Sequence, residues 1–294
     1  MKIKAIFTVL LMLAAGAAAA AGRPDVVVEG VQMPAWVEHA SGARDALALD
    51  MKLTNKERVI TGPGARALLR LADGSLVKLG ENGILALDDL GQRKIKLKEV
   101  MTASLDVLSG AFRYTTQALY KFRGERDVKV RLVTITVGIR GTDLWGKSDK
   151  TRDIACLIEG KVDVTRGQEA FSMDKPLSFY VAPKDKPGEP VGPVSKEQLD
   201  KWSLETEIAA GAGALRKGGK WRVYLAEAND QNSALKIYDE LRNAGYAAEI
   251  RPVKKEEATV YRVRISHLAS KQEAEVLGGK LKGKMGITEP KASR

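Results

Sequence analysis

Cysteine and histidine are almost missing from this chain of 294 residues: it has one cysteine, Cys156, and two histidines, His39 and His267. A lone cysteine excludes an internal disulfide, and no stretch gathers enough ligands for a metal site. Cys156 stands in the apolar run Ile154-Ala-Cys-Leu-Ile158 and reads as a small core residue rather than a reactive thiol. The histidines lie far apart in segments of different pattern, so no histidine cluster and no Ser/His or Cys/His pair is supported. Asp88 and Asp89 are adjacent, but neighbours on a strand point to opposite faces, and a solvated turn is the better reading. The matched carboxylates that glycoside hydrolysis needs have no candidate. These shortages predict a protein with no catalytic residue, no metal and no cofactor.

Long apolar runs are scarce too, except at the start. Lys2 and Lys4 precede the apolar stretch Ala5 to Ala15, and Ala19-Ala20-Ala21 offers a small-residue cleavage site before Gly22. This is the pattern of a signal peptide over 1–21; a retained anchor is the alternative, but the run is short for a span. No cysteine stands near the site, which argues against a lipoprotein. No later window holds about 18 apolar residues in a row, so the mature chain is expected in the periplasm without a transmembrane span.

Positive charge, by contrast, is in excess. The formal net charge is +11, and the segment from Arg216 to Arg294 holds 17 Lys/Arg against 10 Asp/Glu. An exported basic segment meets little nucleic acid. Anionic headgroups or cell-wall polymers are the expected partners.

Two regimes of periodicity follow one another. From Val26 to Val181, short alternating runs are punctuated by Gly and Asp, as at Ala67–Leu71, Leu76–Leu79, Val128–Val137 and Lys161–Thr165. Asp73-Gly74 lies between the first two as a two-residue hairpin signal, and the whole predicts an all-β domain over 22–182. The prolines of 183–193 predict a linker without a lasting ladder. Ser195-Lys-Glu-Gln198 is a capping box that predicts a helix to about Ala210, and Lys217-Gly-Gly219 reads as a second flexible joint.

From Lys220 the pattern predicts strand 221–226, helix 232–244 ended by Gly245, strands 246–253 and 259–266, helix 270–281 and a closing strand near Ile287. Ser270 with Glu273 three residues on is read as the cap of the second helix. The order β-α-β-β-α-β is the ferredoxin-like motif, an α+β unit over 220–294 with one sheet face left open. Alternation turns Val223, Leu225, Val263 and Ile265 towards the helices. It sends Arg222, Tyr224, Arg262 and Arg264 to the open face.

The most distinctive run is Val137-Gly-Ile-Arg-Gly-Thr-Asp-Leu-Trp145. A phosphate-binding loop needs a helix directly after its glycines, and none is promised here. The run reads instead as a tight corner or bulge in which Gly138 or Gly141 gives backbone freedom and Arg140 and Thr142 tie the turn by hydrogen bonds.

Gly62-Pro-Gly64, Leu71-Ala-Asp-Gly-Ser-Leu-Val-Lys-Leu-Gly80, Gly110-Ala-Phe112, Val137-Gly-Ile-Arg-Gly-Thr142 and Glu159-Gly-Lys-Val-Asp-Val164 form an ordered series over about 54–166. It resembles the FecR-type periplasmic domain, which implies a β-rich module without known catalysis, found in envelope or signalling proteins. No membrane span follows to carry a signal inward, unlike a transmembrane FecR regulator. Trp221-Arg-Val-Tyr-Leu225, Leu241-Arg-Asn-Ala-Gly-Tyr-Ala-Ala248, Tyr261-Arg-Val-Arg-Ile265 and Ser270-Lys-Gln-Glu-Ala274 resemble a second family, the SPOR domain, over about 218–290. That resemblance implies binding to peptide-stripped glycan strands of peptidoglycan, which concentrate at the division septum. Arg222, Tyr224, Arg262 and Arg264 are then the glycan-binding candidates, by stacking on sugar rings and donating to hydroxyls and carboxylates. Where that family often ends its first and third strands with glycine, this chain has Ala226 and Ser266. Three readings follow: a non-enzymatic wall-binding protein whose β domain meets another envelope protein, a periplasmic signalling adaptor, and a wall-modifying enzyme.

Overall fold

The computed structural model describes residues 26–95, 98–116, 124–255 and 258–294, so the expected signal peptide lies outside the described residues. Alternation becomes structure most cleanly where it is strictest. Arg66–Leu71 buries every second residue, and it pairs with both Val26–Gln32 and Leu76–Leu79. The chain from Val26 to Pro183 forms two largely antiparallel sheets that share one long strand, Lys98–Thr115. The C-terminal half of that strand pairs with Leu76–Leu79 and Asp143–Ser148; its N-terminal half pairs with Ile84–Ile95 and, in parallel, with Glu125–Arg131. Val28, Leu69 and Tyr114 from one sheet and Val37, Leu85 and Val137 from the other enter one buried cluster. This is the mutual burial of two apolar faces that makes a sandwich core.

The turn Ala72–Ser75 closes its hairpin with four residues rather than two, through Leu71 N–H donating to the Ser75 carbonyl. The buried Asp73 carboxylate explains the longer loop. It accepts from the Ser75 backbone and hydroxyl and from Arg126 Nε at 2.6 Å, so the turn is tied to a strand of the other sheet. Asp88 and Asp89 lie within the strand Ile84–Ile95, at a bulge, and face Arg131 and Arg93 separately.

The segment after Pro183 is less free than its prolines suggest. Gly192–Pro193 pairs with Ser178–Phe179, Glu189 N–H donates to Val181, and Arg166 donates to the carbonyls of Pro183 and Lys186. Helix α1, Lys196–Thr206, follows with Ser195 as its cap. The Trp202 ring stacks on Trp145 at 4.6 Å and 6°, and Phe179 meets Trp202 edge-on. Together with Cys156, Ile154 and Val181 they make a second, smaller core on the outer side of a sheet. Burial pushes the Cys156 thiol up to about 12, so it stays protonated. The helix stops at Thr206, short of Ala210, because Ile208 and Ala209 turn onto the first strand. Ala209 N–H donates to Gln32 Oε1, and the Ile208 methyl occupies the space above Gly30.

The C-terminal elements are Trp221–Ala228, α2 (Gln231–Asn243), Glu249–Lys255, Ala258–Leu268, α3 (Lys271–Leu281) and Lys291–Ser293. Their strands pair antiparallel in the spatial order Glu249–Lys255, Ala258–Leu268, Trp221–Ala228, Lys291–Ser293. Val223, Leu225, Val263 and Ile265 are buried with Ala234, Leu241, Ala274 and Leu277 of the helices. The closing strand lies later than Ile287. That residue is buried in a turn hydrogen-bonded to Gly283 and Lys284, which delays the chain's return to the sheet edge. The strand after α2 likewise begins at Glu249 rather than Tyr246, because Tyr246 N–H still closes the helix end on Leu241.

The two groups of elements meet directly. Ala214–Arg216 pairs with Gly30–Gln32 and also, through Leu215, with Leu268. Lys217-Gly-Gly219 is a tight turn there rather than a loose joint: Gly219 N–H donates to Arg216. Trp36 Nε1 donates to the Asn243 carbonyl at 3.0 Å, and Ala35 N–H to Gly245, so the α2 C-terminus is capped from the other unit. A Cβ on Gly245 would lie 2.6 Å from the Trp36 ring, so this glycine both ends the helix and admits the indole.

His39 sits beside this junction, with Nδ1 2.7 Å from Glu57 and Nε2 3.0 Å from Asp45, which itself faces Arg242 of α2. Hydrogen bonding to Glu57, then to Asp45, raises the imidazole above its usual value. A raised folded value means that the stabilisation is complete below about pH 6.5 and is lost as the pH rises through the folded value. His39→Gln is therefore expected to lower the urea midpoint more at pH 5.5 than at pH 8.5; an equal loss at both would show that the imidazolium contributes nothing.

Candidate functional site

The open face of the C-terminal sheet is built by alternation and then altered by two register shifts, at Trp221/Val223 and at Tyr224/Ala226. Arg222, Tyr224, Arg262 and Arg264 all lie on it, half-buried, on two adjacent central strands. Their side chains converge. The Arg262 guanidinium lies 5.4 Å over the Tyr224 ring centroid, and Arg222 and Arg264 stand close enough for their charges to act on the Tyr224 hydroxyl. Desolvation alone would raise the Tyr224 phenol, yet the two guanidinium groups outweigh it and hold the phenol below its usual value. The face is thus a site of positive potential centred on one aromatic ring.

Carboxylates that the alternation conceals hold the arginines in place. Between Tyr224 and Ala226 the register shifts, which brings Glu227 opposite Arg262. Glu227 accepts from Lys255 Nζ at 2.5 Å and from Arg262 Nε at 2.8 Å; hydrogen bonding to Lys255 and then Arg262 keeps its carboxyl below the usual range. Glu249 accepts from Arg264 Nε at 2.9 Å, from Arg251, and from the Ser266 hydroxyl. Burial works against that charge, but the Ser266 hydroxyl and the Arg264 and Arg251 cations win, and the Glu249 carboxyl is also lowered. Ser266 therefore has a defined partner rather than only adding bulk. Ala226 lines a depression of about 500 Å³ with Tyr224, Glu227, Lys255, Arg262, Thr288 and Lys291. A second depression of about 510 Å³ lies across Arg222 and Arg264.

The Val137–Trp145 run takes no part in this. Thr136–Ile139 belongs to one sheet of the sandwich and Asp143–Ser148 to the other, so Arg140-Gly-Thr142 is the crossing between them. Gly141 has φ +66° and supplies the turn, whereas Gly138 is ordinary strand. Arg140 Nε binds Asp163 at 2.7 Å, and the Thr142 hydroxyl donates to the Lys161 carbonyl at 2.8 Å. Among the described residues, no group of three or more His, Cys, Asp or Glu side chains could hold a metal ion. No helix of the described residues is long and apolar enough to cross a membrane.

Comparison with known proteins agrees with this division. The SPOR domain family matches residues 217–290, and the FecR protein family matches residues 57–163. No curated protein matches the chain. Two crystal structures of a candidate anti-sigma factor from Parabacteroides distasonis ATCC 8503 are similar. One has a TM-score of 0.40 at 14% identity, over 78% of this chain and 92% of that one. The other has 0.39 at 15%, over 76% and 89%. The chain therefore carries a FecR segment followed by a C-terminal SPOR domain.

Proposed function

We propose that this is a non-enzymatic protein of the bacterial envelope, exported to the periplasm, that binds peptidoglycan glycan strands through residues 220–294. The carrying observation is the convergence of Arg222, Arg262 and Arg264 on Tyr224, on the open face of the SPOR domain. An aromatic ring flanked by guanidinium groups can stack on a sugar and donate to its hydroxyls and carboxylates. The β-α-β-β-α-β order and the antiparallel pairing support a ferredoxin-like unit, which leaves that face uncovered. On this reading residues 22–182 are the FecR-like module, a rigid β surface for another envelope protein, and 183–219 connect the two. The septum, where peptide-stripped strands concentrate, is the expected place of enrichment. The FecR match favours a second reading, a periplasmic signalling adaptor in which wall binding only fixes position.

The test is co-sedimentation of the purified chain with cell-wall sacculi, with and without amidase treatment. Binding is expected, and more to the treated sacculi; absence from both pellets would sink the proposal. Arg262→Ala combined with Tyr224→Ala is expected to weaken binding about tenfold or more, since it removes a charged donor and a stacking ring. Unchanged binding would move the site off this face. Release of soluble muropeptides by the purified chain would revive the enzyme reading.

A further inference from the structure

The second depression on the SPOR face differs in charge from the first. Lys220, Arg222, Arg251, Arg264, His267 and Arg294 line it, with Glu249 as the one acid among its lining residues. Glu249 is already engaged by Arg251, Arg264 and Ser266. Arg222 lies near Tyr224 on the open face, where the carboxylates Glu227 and Glu249 are engaged by other cations. Three of these cations come from three neighbouring strands: Arg222 from Trp221–Ala228, Arg264 from Ala258–Leu268 and Arg251 from Glu249–Lys255. Arg264 stands opposite Tyr224 and Glu249, whereas Arg222 lies two residues before Tyr224 and Arg251 two residues after Glu249, so the three cations form a diagonal row across the sheet. The depression on the other side of Tyr224 is nearly balanced, with Lys255, Arg262 and Lys291 against Glu227 and Glu289.

A single carboxylate is satisfied by one bidentate guanidinium. Such a group would leave most of this row unused, and like charges gathered in a recess repel one another until a multiply charged anion enters. The same Arg222 and Arg264 charges hold the Tyr224 phenol below its usual value. Arg222 and Arg264 line the recess and also stand beside Tyr224, which suits a group attached to a sugar already lying on that ring. It does not suit a flat lipid surface. We propose that the basin formed by Lys220, Arg222, Arg251 and Arg264 is a subsite for a phosphate ester or diphosphate carried on a saccharide. This deepens the glycan reading and rests on it for the saccharide, though not for the anion.

The experiment is calorimetric titration of the whole chain at low salt with inorganic diphosphate, N-acetylglucosamine 1-phosphate, N-acetylglucosamine and sulfate. Diphosphate and the sugar phosphate are expected to bind, and both more tightly than sulfate or the bare sugar. Arg222→Gln with Arg251→Gln should weaken the phosphate ligands about tenfold for each guanidinium lost. Lys236→Gln with Lys282→Gln, an equal loss of charge on exposed helical and turn positions, should leave them unchanged. Equal affinity for sulfate and diphosphate, or equal weakening by both double variants, would reduce the basin to a general anion sink and overturn the proposal. Absence of phosphate binding with sacculus binding intact sinks this inference alone. Phosphate binding without sacculus binding sinks the glycan reading and leaves the anion site standing.

Discussion

Gly160→Ala is expected to destabilise the β unit by about 3 kcal/mol, while Gly138→Ala, in the other half of the same motif pair, leaves it unchanged or stabilises it by up to about 1 kcal/mol. Gly160 has φ +93°, and a Cβ there would lie 2.3 Å from the Gly141 carbonyl oxygen and 3.0 Å from Thr142 Cα. Both the backbone conformation and the space are closed to alanine. The atoms in the way are backbone, which cannot swing aside as a side chain could. Gly141 has φ +66° but open space around it, so Gly141→Ala should cost only the conformational part, about 1–2 kcal/mol. At Gly138 the nearest atom to an added Cβ is the Asp163 carbonyl oxygen at 3.7 Å, an ordinary contact. Urea denaturation of the three variants tests the ranking. A loss at Gly138→Ala as large as at Gly160→Ala would mean that the crossing between the sheets is not where the motif's constraint lies.

That ranking shows what the sequence could convey. Two glycine-bearing runs about 20 residues apart read as a corner and a strand, and Arg140 and Thr142 do tie that corner, to Asp163 and Lys161. Local pattern does not reveal that Gly141 and Gly160 touch, since their contact depends on the pairing of Thr136–Ile139 with Val162–Arg166. The open face of the C-terminal sheet divides in the same way. Period-two alternation was enough to place Arg222, Tyr224, Arg262 and Arg264 together, because buried Val223, Leu225, Val263 and Ile265 fix the parity. It missed Glu227 because one bulged residue reverses parity beyond Tyr224. It missed Glu249 because two of its partners, Arg264 and Ser266, come from the neighbouring strand, and only Arg251 is near it in sequence. Prolines made 183–193 look like a free linker, whereas carbonyls that need no N–H of their own accept from Arg166. The docking of α1 rests on Trp145 and Trp202, 57 positions apart in the chain and stacked in space.

The second large effect is expected at Glu273, where the local motif pointed to the right residue and the wrong partner. Ser270 does cap α3, accepting from Glu273 N–H at 3.2 Å. In a capping box the Glu273 carboxylate would return to the Ser270 backbone. Instead it is buried and accepts from the backbone N–H groups of Gly211, at 2.7 Å, Gly213, and Ala214, at 3.0 Å. These amides lead into Ala214–Arg216, the strand that joins the first sheet to the C-terminal one. A buried anion at a helix N-terminus with three amide donors is fully satisfied, and removing it strands three donors at about 1 kcal/mol or more each. Glu273→Ala is therefore expected to cost about 3 kcal/mol or more, and Glu273→Gln less, since one acceptor oxygen remains. The loss should also separate the two units: urea unfolding should split into two transitions, and protease should gain access to 207–213. A single transition shifted by less than about 1 kcal/mol would show that strand pairing alone joins them. Glu273 lies on α3, which packs on the covered side of the sheet, so sacculus binding by the folded variant should survive. Loss of binding in a variant whose C-terminal sheet remains folded would instead mean that the proposed glycan face depends on its attachment to the β unit.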